Sequence, residues 1–127
     1  MRLVPQAPRR LTSKIPIRPD LVLRAEDQDL AVADVKYKEL KPDAWPYADL
    51  YQLLAYCVSL NLPSGLLIYA SGRSYEEHIV EGAGVSLGMI GVEMSGSPRD
   101  LEARVRRAAR HLVRQATRRR SMQTMVV

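Results

Sequence analysis

The chain has 127 residues, 46% of them hydrophobic and 26% charged, and a formal charge of +5. That composition belongs to a globular domain rather than a disordered or collagen-like chain; no apolar run approaches the roughly 18 residues of a membrane span, and residues 1–5 hold no signal-like apolar stretch. A single cysteine, Cys57, excludes an internal disulfide framework and a multi-cysteine zinc site, and the expectation is a cytoplasmic protein.

Residues 1–14, with Pro5, Pro8 and the Arg9-Arg10 pair, read as a flexible segment. Leu21, Val22 and Leu23 favour a strand, with Pro19 at its beginning. Residues 26–29 read as a turn and residues 30–38 as a second strand, so the two form a β-hairpin. Pro46 suits the first turn of a helix. Leu50, Leu53, Leu54, Cys57, Val58 and Leu60 follow at spacings of three and four. Asn61, Pro63 and Gly65 end that helix, and residues 66–70 are a short buried strand. Residues 75–80 and 85–94 read as two further strands. Ser97 caps a last helix, with Pro98 and Asp100 in its first turn. Its apolar stripe is Leu101, Val105, Ala108, Ala109, Leu112, Val113 and Ala116. The expected architecture is α/β (α+β), a mixed sheet flanked by helices in the order β-β-α-β-β-β-α, with one domain over residues 15–120 and a tail over 121–127.

The charge is unevenly spread. Residues 1–96 carry ten Lys/Arg against twelve Asp/Glu, a net of −2; residues 97–127 carry nine arginines against Asp100 and Glu102, a net of +7. The excess fits either a polyanionic partner, nucleic acid first, or a solvated helix face.

Three residues stand out chemically: Asp20 at the start of the first strand, and Asp34 and Lys36 on the second. Side chains two apart on a strand share a face, so Asp34 and Lys36 point one way and Val35 the other. A hairpin turning near residues 26–29 brings Asp20 toward Asp34. Two carboxylates on adjacent strands make a hard oxygen site suited to Mg²⁺ or Mn²⁺, with the Val35 carbonyl as a further donor. A lysine beside it can position or activate water and stabilise a pentavalent phosphate. An Asp-x-Lys pair by itself is very common and points first to a solvent-exposed cross-pair on a strand. Here Ala31, Val32, Ala33 and Val35 mark a largely buried strand, in which a charge is costly unless paired. On the following helix Asp49, Gln52 and Tyr56 share one side. They fit hydrogen bonding to the lysine, a water or phosphate, or an ordinary polar flank.

Taken together, Arg18-Pro19-Asp20, Asp34-Val35-Lys36-Tyr37-Lys38 and Asp49-Leu50-Tyr51-Gln52-Leu53-Leu54-Ala55-Tyr56 resemble the PD-(D/E)xK nuclease superfamily. Their order looks most like the C-terminal nuclease domain of the McrC family of modified-cytosine restriction systems; RecB-type nucleases carry a similar strand and helix. The resemblance implies a restriction-endonuclease-like fold and metal-dependent cleavage of DNA phosphodiesters. It implies Asp20 and Asp34 as metal ligands, Lys36 as the active-site lysine, and Gln52 and Tyr56 as supporting residues. It also implies an AAA+ GTPase partner of McrB type, and a longer N-terminal region than the roughly fifteen residues that stand here before the first motif. Phosphate contacts are expected from Arg9, Arg10, Lys38, Arg107, Arg110, Arg114 and Arg118. The alternatives are a non-catalytic nucleic-acid-binding or assembly domain, and another RecB-like nuclease.

The remaining candidates carry less. Gly82, Ala83, Gly84 and Gly88 lack the spacing of a dinucleotide loop. His78 and His111 are isolated, and Cys57 lies in the helical stripe as a small buried hydrophobe.

Overall fold

The hairpin is the centre of the chain. In the computed structural model, which describes residues 1–6, 8–10 and 12–125, two long strands meet at a tight turn over Glu26 and Asp27. Glu26 takes φ +57°, the left-handed conformation such turns require. The strands are β4 (Leu21–Ala25) and β5 (Gln28–Leu40), paired with Leu21 opposite Ala33 and Val22 opposite Val32.

Three short strands precede the hairpin: β1 (Arg2–Pro5) and β2 (Arg9–Arg10), where a flexible segment was expected, and β3 (Pro16–Ile17). β1 pairs antiparallel with β4 and forms a sheet edge. Leu3 packs into the core on one face of the sheet and Val4 into the core on the other. Two apolar residues are too few to give a readable alternation, and Pro5 is tolerated because an edge strand has no neighbour waiting for its N–H. β2 and β3 pair as a separate ribbon. Arg9 ties that ribbon to the hairpin through two bonds to Asp29, at 2.6 and 2.9 Å.

β5 is followed by helix α1 (Tyr47–Ser59), which crosses over to β6 (Ser64–Gly72), parallel to β5. Parallel pairing requires such a crossover. Residues 64–69 of β6 are all buried, the signature of a central strand covered on both faces. β7 (Glu76–Val80) and β8 (Val85–Gly91) complete a six-stranded mixed sheet of order β1-β4-β5-β6-β8-β7.

The last element is α2 (Pro98–Met125). Ser97 Oγ accepts the Asp100 N–H, and the Asp100 carboxylate accepts the Ser97 N–H, a capping box. The helix runs through most of the expected tail; Val126 and Val127 lie outside the described residues. No helix among the described residues is long and apolar enough to cross a membrane.

The helices cover opposite faces of the sheet. Leu53 and Cys57 of α1 pack on Val22, Val32, Leu67 and Tyr69. Ala108, Leu112 and Ala116 of α2 pack on Leu23, Ala31, Ala33, Leu66 and Ile68. The expected stripe of α2 is therefore the packed one, and it also buries Gln115, whose amide donates to the Gly65 carbonyl at 3.1 Å.

Two predictions test this packing. Burial pushes the Cys57 thiol up to about 12, so the native protein should resist alkylation at pH 8 and become fully reactive on denaturation, read by mass spectrometry. The hydrogen bond from Arg9, followed by its charge and that of Arg24, holds the Asp29 carboxyl below its ordinary 3.8, against the opposing effect of burial. A depressed folded pKa contributes stability above the ordinary aspartate range that is lost as pH falls through it. Asp29→Asn should therefore flatten the acid limb of the stability curve measured by denaturant titration.

Candidate active site

β4 stops pairing at Leu21–Ala33, and the next two residues, Asp20 and Asp34, stand face to face beyond the ladder. The Asp20 N–H donates to Asp34 Oδ1 at 3.0 Å, and the Val35 N–H donates to Asp20 Oδ2 at 2.7 Å. Each carboxylate is thus pinned by the backbone of the other strand, with one oxygen of each left outside that pair of bonds. Asp34 is only 6% exposed. Burial pushes its carboxyl above the usual aspartate range; the Asp20 N–H pulls it back, and the charge of Asp20 pushes it up again.

Alternation along β5 puts Asp34 and Lys36 on the side of Val32, which is the face covered by α1. Lys36 Nζ lies 3.8 Å from Asp34 Oδ2 and donates to Gln52 Oε1 at 2.7 Å. Gln52 Nε2 in turn reaches Tyr56 Oη at 3.1 Å. Burial, then the charge of Asp34, raise the Tyr56 hydroxyl above its ordinary value and keep its proton in place. Asp20, Asp34, Lys36, Gln52 and Tyr56 therefore form one connected cluster at the end of the hairpin. The cluster can hold a cation at the carboxylates and orient a polar group at the ammonium.

The expected phosphate-contacting residues are not gathered there. Arg9 is committed to Asp29, and Arg10 donates to the Ser13 carbonyl. Lys38 reaches Asp49 Oδ2 at 2.9 Å. Arg107, Arg110, Arg114 and Arg118 ride on α2, across the sheet from Asp34 and Lys36. Arg114 contacts His111 and Arg118 contacts Glu77. An apolar cleft of about 370 Å³, lined by Leu3, Val35, Tyr37 and Val105, also lies on the α2 face.

Sequence reasoning missed Gln6, which follows β1 at φ +51°. Its N–H donates to the Asp20 carbonyl at 2.9 Å and its side chain to Asp20 Oδ1 at 3.2 Å. Tyr69 was missed as well; its hydroxyl donates to Asp49 Oδ2 at 2.8 Å. A glutamine in an unrecognised edge turn and a tyrosine in an apolar strand leave no periodic signal.

A family model described as McrBC 5-methylcytosine restriction system component matches residues 5–70, just over half of the chain. A search of curated proteins finds no match. The matched span runs from the end of β1 through most of β6, and so contains every residue of the cluster.

Gly65 sets how closely α1 approaches the sheet. A Cβ there would stand 2.8 Å from Leu53 Cδ1 and 2.9 Å from Cys57 Sγ. Gly65→Ala should cost about 1–3 kcal/mol by overpacking. It should also shift the amide resonances of Gln52 and Tyr56, as read in a heteronuclear NMR spectrum.

Proposed function

The chain belongs to the McrBC 5-methylcytosine restriction system component family, and we propose that it is the metal-dependent DNA endonuclease domain of such a system, of McrC type within the PD-(D/E)xK superfamily. One observation carries the reading. Two aspartates from neighbouring strands are locked together by reciprocal backbone hydrogen bonds, with a lysine ammonium 3.8 Å from one of them.

The donor set fits Mg²⁺ or Mn²⁺. Among the described residues no three His, Cys, Asp or Glu side chains gather to hold a metal. A magnesium ion instead takes one or two carboxylates, several waters and substrate phosphate. Burial first, and then the charge of Asp20, raise the Asp34 carboxyl, and a cation held by these carboxylates would offset the second of these. Asp20 and Asp34 would hold the ion. The Val35 carbonyl would assist, because an extended residue directs its N–H and C=O to the same edge and the Val35 N–H already meets Asp20. When bound, such an ion supplies charge neutralisation and a polarised water.

The chain's own residues do the positioning. Lys36 presents its ammonium beside Asp34, where it orients a water toward phosphorus and stabilises the charge that develops on phosphate oxygen. Gln52 accepts from Lys36 and fixes that ammonium, and Tyr56 fixes Gln52. Gln6 holds Asp20 from the outer strand. An AAA+ GTPase of McrB type is the partner this reading calls for, with DNA as the substrate.

A second reading, nucleic-acid binding or assembly without cleavage, draws on Arg107 and Arg110, which have no acidic partner among the described residues. The test uses supercoiled plasmid bearing 5-methylcytosine, with Mg²⁺ or Mn²⁺, in the presence and absence of the GTPase partner and GTP. Wild type should cut. Asp34→Ala and Lys36→Ala should lose about 10²-fold or more of the rate. Equal cutting by all three proteins overturns the assignment. Absence of Mn²⁺ binding in calorimetry, with salt-dependent DNA binding intact, would favour the second reading.

A further inference from the structure

Asp49 lies in the first turn of α1, three residues before Gln52 and on the same side of the helix. Its side chain is 13% exposed and meets three groups. Oδ2 accepts from the Tyr69 hydroxyl at 2.8 Å and from Lys38 Nζ at 2.9 Å, and Oδ1 lies 4.0 Å from Lys36 Nζ. The Lys36 ammonium therefore stands between two carboxylates carried by different elements. Asp34, on its own strand, is 3.8 Å away, and Asp49, on α1, is 4.0 Å away; the direct hydrogen bond goes to neither but to Gln52.

A lysine is a point charge on a flexible four-carbon stem, so β5 alone does not decide where the ammonium stops. Without Asp49, it would settle onto the oxygen that the carboxylate pair leaves open. We infer that Asp49 is a positioning residue, which draws the Lys36 ammonium off the Asp20–Asp34 pair and clamps Lys38, so that only one of the strand's two lysines serves the site. Tyr69 anchors Asp49 from the buried centre of β6, which makes the stand-off a property of the core rather than of a surface rotamer. Arginine is absent from this cluster; a fork-shaped cation would bind one carboxylate with both arms and lose the intermediate position.

The geometric claim stands by itself, while its consequence for turnover rests on the nuclease reading above, and the experiment separates the two. Wild type, Asp49→Asn and Asp49→Glu are labelled with a limiting amine-specific acylating reagent, and each lysine is quantified by peptide mass spectrometry. The exposed Lys14 and Lys41 serve as references. In Asp49→Asn the labelling of Lys36 should change severalfold and that of Lys38 should rise, while Asp49→Glu should stay near wild type. Unchanged labelling of Lys36 overturns the inference. If Asp49→Asn fails to fold by circular dichroism, Tyr69→Phe, which releases the Asp49 anchor, must alter Lys36 labelling, or the inference falls. In cleavage assays Asp49→Asn should lose about tenfold or more in kcat with KM nearly unchanged. A merely structural role would lower the unfolding midpoint and leave kcat per folded molecule intact. A wild type that cuts no DNA while Asp49→Asn alters Lys36 labelling sinks the nuclease reading and upholds the positioning role. A wild type that cuts, beside an Asp49→Asn variant with wild-type labelling and kcat, does the reverse.

Discussion

Two like charges a strand's width apart repel, and the rest of this structure is arranged around keeping Asp20 and Asp34 together. Each accepts a backbone N–H contributed by the opposite strand, at 3.0 and 2.7 Å. Those bonds form where the β4 ladder ends at Leu21, one residue after Asp20, which frees the edge of β5 at that point. β1 then ends beside Asp20, and Gln6 turns back to bond both its carbonyl and its carboxylate. A carboxylate fixed by backbone donors cannot rotate away from its neighbour, so the charge density persists. It makes the pair a fixed concentration of negative charge rather than two solvated side chains.

The helix over this pair is placed with equal economy. α1 descends close to β6 because Gly65 has no side chain, and Leu53 and Cys57 occupy the space that one would take. The loop leading into α1 has few backbone bonds of its own. Arg73, just past the end of β6, holds it by donating to the Pro42 and Ala44 carbonyls at 3.3 and 3.1 Å while its guanidinium lies 5.4 Å from the centre of the Trp45 ring. An ion pair with Glu76 at 3.0 Å fixes Arg73 in turn. The positions of Asp49, Gln52 and Tyr56 thus descend from contacts made outside the cluster, and a change in that loop would be felt at Lys36.

The sheet also separates two electrostatic regions. The carboxylates and Lys36 lie on the α1 face, and Arg107, Arg110, Arg114 and Arg118 of α2 lie on the other. These arginines of the basic segment thus lie across the sheet from the carboxylates rather than along one groove with them. The cation beside the aspartates is therefore Lys36 and not an arginine of α2.

The sequence by itself determined the hairpin, the crossover helix, the buried central strand and the capped final helix. Those elements follow from local alternation, spacing and capping, which act within a few residues. It also determined, through strand periodicity, that Asp34 and Lys36 share a face, and a turn near residues 26–29 allowed Asp20 to approach them. Only the tertiary structure decided that residues 2–5 pair at the sheet edge, because a strand of four residues is stabilised by its neighbour and not by its own pattern. Only the tertiary structure put the arginine helix across the sheet from the aspartates, because the face a helix covers is set by chain crossing and not by its stripe. Gln6 and Tyr69 belong to the same class: each acts through a hydrogen bond spanning fourteen or twenty positions, and no local spacing records such a bond.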